Sequence, residues 1–508
     1  MRSMAPARDH STRHQTRNSP MKKALSIGIV ASATILSAYA QAQQPATPSA
    51  SAGGATGLLY IRKNAHSPEA EADLQALDQA LKKMRALGCA DPRSWYYQGA
   101  THAIPATIPN GDNPLCPSYT QISQLKWGWN TCTHLDGSEI HFLVWHRLYI
   151  QHFESIVRTL SGKADFALPY WDYTNPANRV LPAALRDSAS SLYAEARLPS
   201  LNDGKNISPE MDEALDTTTL FQNQVFAVFN SQIDAAPHGA MHLYIGGQTD
   251  KLTMWNPIYR KETNGLMALV PSAGFDPVFW LHHANIDYLW QTWENSANGV
   301  RPTLAELQAV PWPYQFHDGT GKRHEYTIPE AYKTAFNPNY VYDQLRSGIA
   351  ALDSQKHTRL LQLNQQRNDN KRVLWSEQPD EPVKGGQLEL APAQAAKARA
   401  SVLSAQAALS PLVLQLTVSF VKEPEDTYAV YIVDASGTQK LAGLLTFFGA
   451  GHHAGFDSGH DHAHEGRKTF LLDVSDELQP ESDYRILIKK QREPVDEITV
   501  REVSLLSY

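Results

Sequence analysis

Apolar residues recur at helical spacing over the first part of this chain. In residues 69–87 they return every three or four positions, and Gly88 follows as a C-terminal cap, which predicts an amphipathic helix. Residues 140–160 and 277–294 also favour helices, the second with Asp276 as N-cap and Pro277 at its first position. Residues 199–216 and 298–324 are rich in Pro, Gly, Asn and Asp and predict loops. The pattern indicates a mainly α domain, a helix bundle with long connections.

The hydrophobic period changes to two from Leu412 onward. Apolar and polar residues alternate in residues 412–420, 428–433, 470–474, 484–489 and 498–505, which predicts strands separated by turns. Residues 406–508 are therefore expected to form a smaller C-terminal β-sandwich domain. Residues 351–405 are charged and rich in Gln and Ala, with helical patches but no clear core pattern, and we predict a linker there.

Length, charge and the N-terminus limit the function classes. A chain of 508 residues with 42% hydrophobic residues is expected to hold more than one domain, and its net charge of −7 argues against nucleic acid as a partner. Met21-Lys22-Lys23 precedes an apolar run over residues 24–38, the pattern of a secretory signal and too short to cross a membrane. We predict an N-terminal extension and signal peptide over 1–42, a linker over 43–56, and a periplasmic or secreted protein without a membrane partner.

Histidines are the main candidates for chemistry, and they fall in two sets: His102, His134 and His146, then His238, His242 and His283. Imidazole suits copper, zinc, iron and nickel, and a site without thiolate or carboxylate ligands favours copper or zinc. His238 and His242 are four residues apart, so a helix would present both on one face. Two sets of three histidines predict a pair of metal ions.

Two longer motifs surround these histidines. Trp145-His146-Arg147 lies in an aromatic helical segment with Glu154 two turns on, and residues 274–287 carry His282, His283 and Asp287. Both motifs resemble the copper A and copper B signatures of the tyrosinase, catechol oxidase and molluscan haemocyanin family, the type-3 dicopper proteins. The resemblance covers roughly residues 57–345 and implies a four-helix-bundle catalytic domain over 57–350.

The resemblance implies six copper ligands. They are His102, His134 and His146 for copper A, and His238, His242 and His283 for copper B. His282 would orient the site with Asp287 behind it, because ligating imidazoles need their other nitrogen fixed. The second copper A ligand is less regular, because the family's usual spacing would place it near Gly137, which cannot bind a metal. We assign His134, which implies an inserted loop after it, and His141 is the alternative.

The three cysteines also fit the resemblance to the type-3 dicopper family. Cys132 and His134 match the Cys-x-His form in which the sulfur is bonded to a ligand imidazole, which would leave Cys89 and Cys116 for a disulfide. Three free thiols are the alternative. Tyr340-Val341-Tyr342 resembles the element that closes the family's catalytic domain, with Arg62 as its cation–π partner.

The implied activity is ortho-hydroxylation of monophenols and oxidation of o-diphenols to o-quinones, with two copper ions, O2 as co-substrate and a small phenol as partner. Many tyrosinases have asparagine after the first copper B ligand and a nearby glutamate, but this chain has Gly239 and no glutamate in residues 221–237. Asp234 could substitute, and a catechol oxidase without significant monophenolase activity is the alternative function.

The C-terminal domain more weakly resembles that of plant polyphenol oxidases, which implies an intramolecular lid released by cutting the linker. Histidines crowd its loop at His452, His453, His460, His462 and His464, and copper delivery or a solvated loop are both open. An oxygen carrier, a dizinc hydrolase and a metal chaperone are the rival classes. A single copy of the catalytic domain with an export signal disfavours an oxygen carrier. The histidine motifs contain no bridging carboxylates, which disfavours a dizinc hydrolase, and a metal chaperone would not explain the two buried motifs.

Overall fold

The computed structural model describes residues 59–105, 116, 127–133, 138–345, 354–393, 410–450, 465–478, 483–492 and 497–508. The predicted signal peptide, the predicted linker over 43–56, His134 and the histidine-rich segment at 452–464 lie outside the described residues. The structure has a helical region followed by a region of two β-sheets.

The α-helices are α1 Glu71–Ala86, α2 Trp95–His102, α3 Phe142–Ser161, α4 Pro199–Asn202, α5 Asp212–Leu215, α6 Phe226–Ile233, α7 Ala240–Ile245, α8 Val270–Ala273, α9 Pro277–Glu294, α10 Leu304–Gln308, α11 Ile328–Ala335 and α12 Ser354–Asn370. The strands are β1 Tyr60–Arg62, β2 Met254–Asn256, β3 Lys261–Thr263, β4 Tyr314–His317, β5 Arg323–Tyr326, β6 Tyr340–Tyr342, β7 Arg372–Glu377, β8 Glu381–Pro382, β9 Gln387–Leu390, β10 Leu412–Phe420, β11 Tyr428–Asp434, β12 Gln439–Leu445, β13 Gly466–Asp473, β14 Tyr484–Lys490 and β15 Thr499–Ser507.

The three long helices predicted from the sequence are confirmed as α1, α3 and α9. Asp276 caps α9 as expected, because its side chain accepts a hydrogen bond from the Val278 amide. The predicted loops are partly wrong: residues 199–216 contain α4 and α5, and residues 298–324 contain α10 and the β4–β5 hairpin. A capping box between Thr303 and Glu306 starts α10, which is too short to show a hydrophobic period.

A buried group of charged residues joins the two ends of the helical region. Strand β1 pairs in parallel with β6, and the Arg62 guanidinium lies 3.6 Å from the centre of the Tyr340 ring, which confirms the predicted cation–π contact. Arg62 also donates to Glu154 (2.9 Å) and Asp287 (2.9 Å). Burial opposes ionisation of Asp287, but the charges of Arg147 and then Arg62 lower its pKa below the ordinary value.

Two sheets enclose a common apolar core in the C-terminal region. One sheet has the order β13-β10-β15-β7 with β8 beside β15, and the other has the order β12-β11-β14-β9. Their inward side chains, including Leu416, Ile432, Phe470 and Ile486, form one hydrophobic cluster. The predicted strands at 412–420, 428–433, 470–474, 484–489 and 498–505 are confirmed with shifted ends, and β12 was missed.

The predicted linker over residues 351–405 contains packed structure in its described part, residues 354–393, which hold α12, β7, β8 and β9. Helix α12 lies against the helical region, where Asn364 donates to Glu306 (2.8 Å) and Arg367 donates to Gln224 Oε1 (2.8 Å). Strand β7 then pairs with β15, and β9 pairs with β14. These pairings join strands about a hundred residues or more apart, so the short charged segments gave no local sign of them.

The predicted disulfide is present, since Cys89 and Cys116 are bonded with their Cα atoms 5.4 Å apart. Cys132 is buried and is not part of this disulfide. In the part of the chain that the structure describes, no helix combines the length and the apolar character needed to cross a membrane.

Candidate metal centre

Five helical elements direct histidines to one place in the helical region. His102 is the last residue of α2, His146 lies in the first two turns of α3, and His242 lies in α7. His282 and His283 lie in α9, and His238 belongs to a π-helical turn, Asp234–Gly239, that leads into α7. All six histidines are buried.

These side chains form two groups with metal-ligand geometry. Potential ligand atoms of His102, His146 and His283 all lie within 4.8 Å of one another. The same limit holds for His238, His242, His282 and His283. Because His283 belongs to both groups, the two candidate ion positions are adjacent, as a dinuclear centre requires.

Main-chain carbonyls fix four of the rings through Nδ1. The pairs are His102 with Val270 (3.1 Å), His146 with Phe142 (2.8 Å), His238 with Asp234 (3.1 Å) and His242 with Met267 (2.8 Å). An imidazole that donates from Nδ1 keeps the lone pair of Nε2 for a metal ion. These contacts therefore select the tautomer that a metal ligand needs.

His282 and His283 differ from the other four rings. Nδ1 of His282 lies 2.9 Å from the Tyr173 hydroxyl, whereas neither ring nitrogen of the buried His283 has a hydrogen-bond partner among the described residues. Burial, followed by repulsion between neighbouring imidazoles, lowers the pKa of His146, His282 and His283 well below the ordinary value. These rings are neutral at physiological pH, which is the form that binds a metal ion.

Three phenylalanines surround the histidines. Phe142 lies 4.6 Å from the His238 ring and Phe279 lies 4.3 Å from the His283 ring, measured between ring centres. The Phe448 ring, from the C-terminal region, stacks on His242 at 4.0 Å with an angle of 18° between the planes. The sequence pointed to an aromatic wall without naming these residues. Phe142 and Phe279 each precede a candidate ligand by one helical turn, whereas Phe448 has no comparable sequence signal.

The predicted second copper A ligand, His134, lies outside the described residues, and so does its proposed bond to Cys132. The Cys132 sulfur lies 3.5 Å from Nε2 of His146, at the edge of the centre. The alternative ligand, His141, belongs to neither histidine group. Its Nδ1 lies 2.7 Å from the Tyr314 hydroxyl and its Nε2 lies 2.7 Å from the Val310 carbonyl oxygen, so its ring is used in packing.

An acidic side chain stands behind the second histidine group. Asp234 Oδ1 lies 3.1 Å from Nδ1 of His238, and its Oδ2 lies 3.3 Å from the ammonium of Lys468 in β13. Asp287, by contrast, contacts Arg62 and Arg147, so its position supports the helices rather than a histidine. The sequence had named Asp234 only as a possible substitute for a missing glutamate.

The donor set fits copper. Both groups offer imidazole nitrogen, which suits copper or zinc and disfavours calcium and magnesium. The His283 ring nitrogens are buried without a hydrogen-bond partner among the described residues, an arrangement that a bound ion would satisfy.

Comparison with known proteins agrees with this geometry. The family model for the common central domain of tyrosinase matches residues 92–199 and 183–296, which include every described histidine of the two groups. Residues 92–296 therefore resemble the common central domain of tyrosinase, and the resemblance to the tyrosinase and polyphenol oxidase family stated from the sequence is confirmed. Members of this family are copper oxidoreductases.

Among curated relatives, a tyrosinase from Hahella sp. is 31% identical over 295 residues, which is 52% of this chain and 59% of that protein. A chloroplastic polyphenol oxidase from Malus domestica is 26% identical over 328 residues, which is 57% of this chain and 49% of that protein. The chain thus spans about half the length of the curated relatives it matches.

Solved structures resemble nearly the whole fold. Latent apple tyrosinase has a TM-score of 0.57 at 17% identity, covering 90% of this chain and 98% of that one. Latent aurone synthase, a polyphenol oxidase, has a TM-score of 0.58 at 16% identity, covering 89% of this chain and 91% of that one. The family fold of a helical core with a C-terminal sheet-rich region is therefore shared.

Proposed function

We propose that this chain is a dicopper oxidase that uses O2 to ortho-hydroxylate monophenols and to oxidise o-diphenols to o-quinones. The observation that carries the proposal is the pair of histidine groups that share His283 in a buried aromatic pocket. In this function, His102, His134 and His146 bind copper A, and His238, His242 and His283 bind copper B. Four of these ligands lie on helices α2, α3, α7 and α9, which we propose form a four-helix bundle, and His238 lies on the π-helical turn that leads into α7.

Two copper ions held by these histidines would supply the redox chemistry that reduces dioxygen. The overall diphenol reaction then balances as two o-diphenols giving two o-quinones while one O2 becomes two waters. Phe142 and Phe279 line the histidines and exclude water from the centre. Tyr173 fixes the ring of His282, which we assign to orienting the site rather than to binding copper.

Copper content and substrate range test this function. Purified protein is expected to bind two copper ions per chain and to consume oxygen with an o-diphenol such as catechol. His283→Ala should lose both properties, because His283 belongs to both groups. A wild-type chain that binds zinc in preference to copper, or that binds two copper ions and consumes no oxygen with any diphenol, would reject the proposal.

A catechol oxidase with little monophenolase activity is the second candidate. Two contacts favour it: Gly239 is packed against Thr446, and the carboxylate of Asp234 is paired with Lys468. Gly239 has no side chain that could accept a phenol proton, and the paired carboxylate of Asp234 is not available to do so in the intact chain. The ratio of oxygen consumption with a monophenol to that with the matching diphenol separates the two candidates.

We also propose that the C-terminal region acts as a lid over the centre. The stacking of Phe448 on His242 supports this, because a phenol ring would need the same face. Latent structures of related polyphenol oxidases share the overall fold. Phe448→Ala should raise diphenol oxidation by the uncut chain, whereas Val421→Ala, which changes a side chain 80% exposed in the same region, should not. Equal activity in the Phe448 variant would argue against a lid.

The chain is further proposed to be exported to the periplasm or secreted, as its N-terminal pattern predicts. The disulfide between Cys89 and Cys116 supports an oxidising compartment. In the mature protein, Cys132 is proposed to be bonded to His134. Mass measurement of the mature protein and of the peptide spanning these two residues tests both ideas, since cleavage near residue 40 and a loss of about two hydrogens are expected from the chemistry of each step.

A further inference from the structure

The C-terminal region reaches behind the second histidine group as well as over it. Lys468 lies in β13 opposite Val418 of β10, and its ammonium is 3.3 Å from Asp234 Oδ2. The other carboxylate oxygen of Asp234 lies 3.1 Å from Nδ1 of His238, and it stands beside the main-chain carbonyl oxygen of Asp234, which lies at the same distance from this nitrogen. A chain of charged and polar contacts thus runs from a strand of the C-terminal sheets to a candidate ligand of copper B.

Lys468 occupies a position that the strand pattern assigns to an apolar residue. Alternate side chains of β13 are buried, and the neighbours of Lys468 on its face are Phe470 and Leu472, which belong to the core between the sheets. A lysine on a buried face destabilises the fold unless its charge is paired. Its anionic partner, Asp234, comes from the helical region and not from the sheets.

Asp234 lies where an outer carboxylate orients a metal-binding imidazole. Such a carboxylate fixes the ring and its tautomer, and its removal commonly lowers metal affinity by about 10- to 100-fold. Since Asp234 is itself buried, the Lys468 ammonium near its other oxygen pairs with the carboxylate and holds it in position.

We propose that Lys468 is a positioning residue for copper B, acting on His238 through Asp234. The inference rests on the proposed dicopper function. It makes the C-terminal region part of the metal centre's support, in addition to any role as a lid. Loss of the lysine charge would leave the carboxylate of Asp234 less well fixed, and His238 would bind copper less tightly.

Copper affinity of the full chain tests this, measured by competition with a chelator. Lys468→Met should lower the affinity for one of the two copper ions, by up to about 100-fold if the carboxylate is lost as a support. Lys468→Arg, which keeps the charge, should restore most of it. Asp234→Asn should lower affinity at the same ion, and the double variant should bind no more weakly than Asp234→Asn alone, because Lys468 acts only through Asp234.

Two control variants separate this role from general effects. Lys490→Met removes another buried lysine, whose ammonium lies 3.7 Å from Asp426 within the C-terminal region, and should leave copper affinity unchanged. Thr446→Val removes a hydrogen bond from the Thr446 hydroxyl to the Ala235 carbonyl oxygen (2.8 Å), so it loosens the same contact surface without touching Asp234. It too should leave copper affinity near the wild-type value.

Different results would contradict the role of Lys468 and the dicopper function. Unchanged copper affinity in Lys468→Met, additive losses in the double variant, or an equal loss in Thr446→Val would each overturn the proposal. If Lys468→Met does not fold, Lys468→Gln gives the same comparison with a polar side chain. A wild-type chain that fails to bind two copper ions would reject the dicopper function itself, which is a different result from two bound ions that are insensitive to Lys468.

Discussion

Gly239 is the residue at which the sequence departs from many tyrosinases, and its surroundings give a physical reason. A Cβ atom at this position would lie 2.6 Å from Oγ1 of Thr446 and 3.1 Å from the carbonyl oxygen of Asp234. The first contact is with the C-terminal region. We infer that glycine here allows that region to approach the segment that carries His238.

This gives a prediction for Gly239→Ala. The added methyl group is expected to weaken docking of the C-terminal region by about 1–3 kcal/mol, the usual cost of overpacking, and so to raise diphenol oxidation by the uncut chain at least several-fold. Oxygen consumption at saturating catechol measures this. Gly88→Ala is the matched control, because a Cβ at Gly88 meets no atom within 4 Å. Unchanged activity in the Gly239 variant would mean that the approach of Thr446 does not limit access.

A second residue-scale prediction separates His146 from His141. His146→Ala should reduce copper content by at least one ion and abolish oxidation, because its ring belongs to one of the two histidine groups. His141→Ala should retain copper, yet lose about 1–3 kcal/mol of stability because the Tyr314 hydroxyl loses its partner at 2.7 Å. Metal analysis and thermal unfolding of both variants check this. Copper loss on replacing His141 would return it to the ligand set.

At the scale of elements, local sequence patterns identified the helices but not the partners of strands. Helices α1, α3 and α9 repeat their apolar residues every three or four positions, so short stretches of sequence were sufficient. Strands β7 and β9 are short and depend on β15 and β14 for their hydrogen bonds. The sequence of residues 372–390 does not reveal these partner strands, which explains why we predicted a linker there.

Strand β7 pairs with β15 and β9 pairs with β14, which changes the expected effect of proteolysis within the predicted linker. A nick within residues 394–409 leaves both strands bonded to the C-terminal sheets, so the two fragments should stay associated and activity should not rise. Two bands on a denaturing gel with a single species in size-exclusion chromatography would be the expected result. Dissociation with activation would instead mean that these antiparallel pairings are too weak to hold the fragments.

At the scale of the whole molecule, the sequence predicted the histidine motifs and the sheet region separately. It could not predict that Phe448, Thr446 and Lys468 meet the segment before His242, since these contacts join positions more than two hundred residues apart. The site is therefore assembled from two regions with different hydrophobic periods. Metal binding at this centre should therefore depend on the folding of both regions.

The buried histidines of this centre also determine how the stability of the copper-free protein depends on pH. The pKa values of His146, His282 and His283 lie well below the ordinary value, chiefly because the rings are buried, so the folded chain keeps them neutral. In the unfolded chain they titrate near a pKa of about 6.5. The unfolded state therefore binds more protons as pH falls below that value, and stability that is present at higher pH is lost.

We expect the melting temperature of copper-free protein to fall steadily between pH 7 and pH 5, with each such histidine contributing up to about 1.4 kcal/mol per pH unit below 6.5. His282→Gln should reduce this slope, because one neutral buried imidazole is replaced by a group that does not titrate. Melting curves of both proteins at half-unit pH intervals provide the measurement. A melting temperature independent of pH over this range would mean that the folded chain takes up protons at the centre as readily as the unfolded one.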